Sequence, residues 1–220
     1  NDITSYMLEQ TKKNFSIDSP TGFTAHAAEY VLGAYKKLGY DAKLTNKGGI
    51  FVCVNDGPDQ ADDPADAPIL LEAHMDTLGG MVCSINEKGR LMLSALGGMN
   101  PNNAEAENCR IYTRSGKVYS GTFQLKNASI HEGSYNDTAR SYDAMEVVLD
   151  EPVESKADTE ALGIMTGDIV ALIPHDRNES GYIKSRFLDD KLSVGILLGI
   201  AKYLKENRQK APPSQNLNQH

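Results

Sequence analysis

The feature that most constrains the fold is a change in the secondary-structure pattern along the chain. From about Gly79 to His175, short alternating segments such as CRIYTRSGKVYSGTF and GDIVALIP are separated by Gly, Asn and Ser, at intervals typical of a small all-β unit. Helical patterns and strands of the parallel type flank this block on both sides. The pattern predicts an α/β domain interrupted by an inserted small all-β domain. The predicted boundaries are 1–78 and 178–208 for the α/β domain, 79–177 for the insert and 209–220 for a polar tail.

The residues before the insert predict two helices and three strands. The run DITSYMLEQTKKNF has a helical pattern, and a second helix is expected from about Ala25 to Leu38, where Gly39 can end it. Two strands are expected around a turn at residues 46–49. The run ILLEAH, residues 69–74, is apolar on both faces up to its end, which predicts a central, buried strand.

Charge and cysteine usage narrow the classes of partner and location. A net charge of −8 over 220 residues argues against a nucleic-acid or anionic-membrane partner. The longest strongly apolar stretch, Val194 to Ala201, is too short to span a bilayer. Three cysteines without a CxxC pair predict free thiols in a reducing cytoplasm, and all three are expected to be small buried side chains.

Polar residues stand at both junctions between the α/β segments and the insert. In LEAHMDTLGG, His74 and Asp76 project to the same side of an extended backbone, so His74 can bind a metal while Asp76 orients its ring. At the second junction, Asp189 and Asp190 precede an apolar helix, and an aspartate that bridges two metals is a known device of two-metal hydrolases. Two simpler interpretations stay open: a hydrogen-bonded polar strand end, and an N-cap at the helix.

Three stretches together resemble the glutamyl and tetrahedral aminopeptidase family of dinuclear metallopeptidases. SPTGFTAHAAEYVLGAYKKLGYDAKLTNKGGI is similar to the opening of that family, and LLEAHMDTLGGMV to its first metal motif. LGIMTGDIVALIP followed by GYIKSRFLDDKLSVGILL resembles its return from the insert to the bridging aspartate. The resemblance covers most of residues 1–208, and the order and spacing of the motifs make the set specific.

The resemblance implies both a fold and an activity. The fold would be an α/β/α sandwich bearing a β-rich insert that serves homo-oligomerisation, and the activity would be removal of N-terminal residues from peptides. By position, His74 would bind one metal, Asp76 would assist that histidine, and Asp189 would bridge two divalent ions, Zn, Co or Mn. Asp190 has no assigned role, since it could cap the helix or hold Lys191.

The sequence departs from the family pattern after the bridging aspartate. The family carries a Glu-Glu pair there, which supplies the general base and a metal ligand, and later an acidic residue and a histidine. Here Glu206 is the only acidic residue beyond Asp190, no Glu-Glu occurs, and His220 stands in the polar tail. We therefore expect a fragment or frame-disrupted product that is inactive by itself. The alternative is a non-catalytic self-association or binding module derived from the same fold.

Overall fold

A computed structural model of the chain describes residues 2–54 and 69–208. The chain divides into two compact units. The first comprises Asn1–Ile17, Ala25–Met75 and Leu188–His220, and the second comprises Asp18–Thr24 and Asp76–Phe187. The polar tail predicted at 209–220 lies outside the described residues.

In residues 2–17, 25–54, 69–75 and 188–208, the first unit contains three long helices and one short strand pair. Its helices are α1 (Asp2–Phe15), α2 (Ala25–Lys37) and α4 (Leu188–Arg208). Strand β1 (Lys43–Leu44) pairs antiparallel with β2 (Ile50–Phe51). Both helices and both strands predicted before residue 52 are confirmed. Gly39 follows α2 with a φ of 82°, a left-handed conformation that glycine adopts without a steric penalty.

The core of the first unit lies between its helices and one side of the extended segments. Helix α4 contributes Val194, Leu198 and Ala201, and α2 contributes Val31, Ala34 and Tyr35. The hydroxyl of Tyr40 donates to the carbonyl of Ala201 at 2.8 Å. Helices α1 and α4 approach so closely that a Cβ built on Gly195 would lie 1.9 Å from Thr11 Oγ1. Glycine at 195 is therefore a condition of this helix contact.

The second unit is a closed barrel of six antiparallel strands, in the spatial order β3-β4-β7-β6-β5-β8. The strands are β3 (Gly79–Ile85), β4 (Leu91–Leu96), β5 (Glu107–Tyr112), β6 (Val118–Leu125), β7 (Met145–Leu149) and β8 (Ile169–Leu172). Alternating residues such as Ile111, Phe123 and Val147 fill its interior. The β content predicted for this stretch is confirmed, while its description as an inserted domain stays a prediction.

Shorter elements complete the second unit. A 3-10 turn spans Pro101–Asn103, and helix α3 spans Lys156–Ala161 behind a capping box formed by Ser155 and Asp158. A hairpin of β9 (Arg177–Glu179) and β10 (Tyr182–Lys184) follows the barrel. Within the described residues, no helix has the length and apolar character needed to cross a membrane.

Two predictions about burial are wrong. Residues 69–74 adopt no regular strand, and Ile69, Leu70 and Leu71 are 87%, 68% and 55% exposed. A central strand needs hydrogen-bonded neighbours and cover on both faces, and the described part of the first unit offers only the β1–β2 pair as a sheet. The three cysteines, all of which the structure describes, form no disulfide with one another, as predicted, but Cys53 and Cys83 are exposed and only Cys109 is buried.

Candidate functional site

The first unit brings together two of the predicted site residues. His74 Nε2 lies 3.1 Å from Asp189 Oδ1, although the two residues are 115 positions apart in the sequence. The Asp189 side chain is almost fully exposed and that of His74 is about half exposed. This approach is the proximity that the sequence argument required. The roles of the two residues as metal ligands stay predictions.

Asp189 projects from a stretch of extended backbone at the start of α4. Its φ and ψ are −85° and 103°, and Asp190 is also non-helical, so the regular helix begins at Lys191. The Lys191 side chain is buried, and its ammonium donates to the carbonyls of Asn14 at 2.9 Å and Ile17 at 2.5 Å. These carbonyls lie at and just beyond the end of α1, so Lys191 fixes the first turn of α4 next to Asp189.

His74 is oriented by the alternation of an extended segment. Ala73 and Met75 pack against the helical core, which turns Glu72 and His74 to the exposed side. The imidazole nitrogen therefore reaches Asp189 from the face opposite to the helices.

The donor set of this pair fits a divalent cation in part. An imidazole nitrogen and a carboxylate oxygen bound to one tetrahedral cation at 2.0–2.1 Å lie roughly 3.3–3.4 Å apart. The observed 3.1 Å is close to that separation. However, no group of three or more His, Cys, Asp or Glu side chains that could hold a metal occurs in residues 2–54 and 69–208. A tetrahedral metal site needs about four ligands, and this pair offers two donor groups.

Asp76 is held within the second unit by a residue that the sequence reasoning did not single out. The Thr21 hydroxyl donates to Asp76 Oδ2 at 2.8 Å. The backbone amide of Thr77 donates to the carbonyl of Ser19, and the amide of Thr21 donates to the carbonyl of Thr77. Residues 19–21 therefore form a parallel bridge with Thr77, which places the Thr21 hydroxyl beside the Asp76 carboxylate.

The segment Asp18–Thr24 is anchored to the barrel through Asp18. The buried Asp18 carboxylate accepts hydrogen bonds from Arg110 at 2.5 and 2.7 Å and from the Tyr112 hydroxyl at 2.6 Å. Burial, followed by the hydrogen bond to Asp18, raises the pKa of Tyr112 to about 12. Arg110 keeps its charge, since its hydrogen bonds to Asp18 raise its pKa against the effect of burial. The motif SPTG marks this segment in the sequence, but nothing there indicates its distant partners.

A second polar cluster joins the start of β5 to the segment that leaves the barrel. Glu107 accepts from His175 at 2.9 Å and from Arg186 at 2.8 Å. Burial would raise the pKa of Glu107, but the hydrogen bond and charge of Arg186, with a smaller contribution from His175, lower it overall. The His175 side chain is half exposed and is paired with Glu107.

Comparisons with known proteins agree on one family. The family model of M42 glutamyl aminopeptidase matches residues 52–214. A Bacillus subtilis protein that bears an aminopeptidase name, YhfE, is 40% identical over 195 residues, which is 87% of this chain and 54% of YhfE. The glutamyl aminopeptidase of Lactococcus lactis is 28% identical over 211 residues, 91% of this chain and 55% of that enzyme.

The solved structures agree on the fold. The TET1 peptidase of Pyrococcus horikoshii, which can assemble into a tetrahedron or a large octahedral shell, superposes with a TM-score of 0.74 at 24% identity. The match covers 91% of this chain and 57% of the TET1 chain. This chain therefore spans about half the length of the relatives that it matches. Since the family model covers well over half of the sequence, the chain belongs to the M42 glutamyl aminopeptidase family.

Proposed function

We propose that this chain is the portion of a metal-dependent aminopeptidase that supplies the first ligands of a dinuclear site. In this proposal His74 binds one divalent cation, Asp189 bridges two, and Asp76 orients the His74 ring. The observation that carries it is the 3.1 Å approach of His74 Nε2 to Asp189 Oδ1 across 115 positions of sequence. The aminopeptidase names of the relatives support hydrolysis of N-terminal residues from peptides as the reaction.

The chemistry of such a site divides between the cation and the protein. A Zn, Co or Mn ion held there would supply Lewis-acid chemistry, which polarises a carbonyl and lowers the pKa of water. The protein's own residues hold the geometry. Asp189 is kept beside the first turn of α4, which the buried Lys191 ammonium fixes. Thr21 donates to Asp76 Oδ2 and so holds that carboxylate in place.

Two ligands do not make a tight site, so we propose that this chain is inactive by itself. The remaining ligands and the general base would come from polypeptide that the relatives carry outside the matched region. Loss of a general base alone costs about 10²–10⁴ in rate. We also propose the cytoplasmic location that the cysteine usage of the sequence predicts.

A second candidate is a non-catalytic module that self-associates through the barrel unit. It is favoured by the lack of any three-ligand group among the described residues. The TET1 peptidase, whose fold this chain shares, can assemble into a tetrahedron or a large octahedral shell. We propose self-association through the barrel unit in either case, and the two candidates differ in whether a metal site is ever completed.

The deciding experiment assays the longest reading frame that contains this sequence. Its product should hydrolyse an aminoacyl anilide in a metal-dependent manner, and a chelator should abolish the activity. His74→Ala and Asp189→Ala should each lower kcat/KM by at least about 10²-fold. His131→Ala, which changes an exposed loop histidine of the barrel unit, is the matched control and should leave activity unchanged. Full activity in both site variants would refute the proposed roles, and a metal-free, inactive product would favour the non-catalytic module.

A further inference from the structure

The barrel unit has a polar depression at one end, where the β3–β4 turn lies beside the end of β6 and the start of β7. Its volume is about 420 Å³, which is the size of a small-molecule pocket. Three cationic side chains, two carboxylates and one amide line it: Lys88, Arg90, Lys126, Glu87, Glu146 and Asn86. The depression is therefore locally positive, although the chain as a whole has a net charge of −8.

A buried carboxylate holds the guanidinium of Arg90 in this depression. The Glu146 side chain is only 5% exposed, and its two oxygens accept from Arg90 Nη1 at 2.7 Å and from Asn86 Nδ2 at 3.0 Å. The Arg90 side chain, by contrast, is 34% exposed. Across residues 2–54 and 69–208 its guanidinium makes no other hydrogen bond, so most of its five N–H groups can serve a ligand.

The turn that presents Arg90 is fixed before any ligand arrives. Asn86 Oδ1 accepts from the backbone amides of Lys88 and Arg90, each at 3.0 Å. The carbonyl of Gly89 accepts from the buried Thr159 hydroxyl at 2.7 Å, which ties the middle of the turn to α3. Since these donors need little ordering, more of the interaction energy is available for binding.

The charges of the depression favour a carboxylate over a phosphate. Once the Arg90–Glu146 pair is set aside, two lysines against Glu87 leave a charge of +1. A carboxylate matches that charge, and its two oxygens match the paired N–H groups of a guanidinium. A phosphate monoester carries about −1.5 to −2 at pH 7, which exceeds the available positive charge. The excess would also lie near the buried carboxylate of Glu146, where like charges repel.

We propose that this depression binds the carboxylate of a small organic acid. Arg90 donates to both carboxylate oxygens, and Glu146 positions Arg90 from the buried side. The exposed ammonium groups of Lys88 and Lys126 flank the bound anion, and the second of them is steadied by donating to the carbonyl of Asp143 at 2.7 Å. The site lies wholly within the barrel unit and does not depend on the proposed metal site.

The test is a titration of the whole ¹⁵N-labelled chain with N-acetylglycine, which carries one carboxylate, followed by NMR. Saturable shifts are expected for the backbone amides of residues 86–90 and 126 and for the Arg90 Nε–H group. N-acetylglycinamide, the neutral counterpart, should cause no saturable shift. Glycerol 3-phosphate should bind more weakly than N-acetylglycine. Raising the salt to about 1 M, where the screening length falls to roughly 3 Å, should weaken binding of the carboxylate.

Three variants separate the guanidinium from the flanking charges. Arg90→Lys keeps a positive partner for Glu146 but removes the fork, so Kd should rise at least about tenfold, as expected for one lost hydrogen bond to a charged group. Lys88→Gln combined with Lys126→Gln should raise Kd about three- to tenfold. Lys117→Gln is the matched control, because this exposed lysine precedes β6 at the end opposite to Lys126, and it should leave Kd unchanged.

Each outcome decides for or against the site. The double lysine variant changes only exposed side chains, so its melting curve should match that of the parent, and it keeps the test valid even if Arg90→Lys unfolds. Shifts that the neutral amide reproduces, or a Kd that the lysine variant leaves unchanged, overturn the proposal. Tighter binding of glycerol 3-phosphate also overturns it and assigns the site to phosphate. Shifts at residues 86–90 that depend on protein concentration alone overturn it and assign the depression to an acidic side chain of a second copy.

Discussion

Gly195 sets the distance between α1 and α4, and replacing it with alanine tests that contact. The new Cβ would lie 1.9 Å from Thr11 Oγ1, 3.1 Å from Thr11 Cβ and 3.2 Å from the carbonyl oxygen of Met7. The first overlap is the severe one, because the approaches at 3.1 and 3.2 Å need a shift of only a few tenths of an ångström and the β-branched Thr11 side chain has few other rotamers in a helix. The helices must therefore move apart, and overpacking of this kind costs about 1–3 kcal/mol. Alanine stabilises a helix interior by about 0.5–1 kcal/mol relative to glycine. We therefore expect the free energy of unfolding to fall by about 1–2 kcal/mol.

The assay is urea unfolding followed by circular dichroism at 222 nm, where the three long helices of this unit dominate the signal. Gly33→Ala is the matched control, because its Cβ would meet nothing within 4 Å in α2. That variant should gain about 0.5–1 kcal/mol from helix propensity alone. Thr11→Ala provides the second half of a double-mutant cycle. Thr11 Oγ1 is buried and makes no hydrogen bond within the described chain, so losing the hydroxyl has a small cost.

In the double variant, Thr11→Ala should restore at least about 1 kcal/mol of the stability that Gly195→Ala removes. The reasoning fails if Gly195→Ala is as stable as Gly33→Ala, since the helices would then have room for a methyl group. It also fails if the two substitutions at 11 and 195 are additive.

Two further predictions concern the anchor of the Asp18–Thr24 segment. Asp18→Ala should lower the free energy of unfolding, measured in urea, by about 2–4 kcal/mol. This is somewhat less than the loss expected for a fully buried ion pair, because Arg110 is 30% exposed. Asp18→Asn should lose less stability than Asp18→Ala, and equal stability of Asp18→Ala and the parent would contradict the role of the carboxylate. The pKa of Tyr112 is raised to about 12 in the folded protein, against about 10 in the unfolded chain. The neutral phenol therefore contributes its full stabilisation below about pH 10, and this contribution is lost as the pH rises towards about 12. Tyr112→Phe should therefore unfold with a weaker pH dependence than the parent between pH 10 and 12, and parallel curves would contradict the raised pKa.

Local features of this chain were predictable because their causes are local. The helices at 2–15 and 25–37 follow from apolar spacing and from Gly39, and the β1–β2 turn follows from its glycines. The approach of His74 to Asp189 could be anticipated from strand-end placement and family resemblance together, and neither residue pair alone would have sufficed.

What escaped prediction depends on partners far away in sequence. The bond from Arg110 to Asp18 spans 92 positions, and both residue types are usually solvated, so no pattern marks them. The sequence around Thr21 indicates only a turn, because the fold and not the local pattern places Asp76 beside it. The error at residues 69–74 has a different origin. Their apolar character indicated a buried strand, but burial of a middle strand depends on neighbours that no local pattern supplies.

The Asp18–Thr24 segment has a consequence for how this protein can be dissected. The chain passes from the N-terminal helix through this segment of the barrel unit and back to the helical unit. The barrel unit is therefore encoded by two separate stretches of the gene. A clone that starts at Asp76 would encode every barrel strand yet omit the acid that neutralises Arg110. In its product, the Arg110 guanidinium and the Tyr112 hydroxyl would lack the Asp18 carboxylate that accepts hydrogen bonds from both. The stability measured for such a truncated barrel would therefore not represent the stability of the barrel in the whole chain. A shorter clone that preserves the barrel must splice residues 18–24 back in.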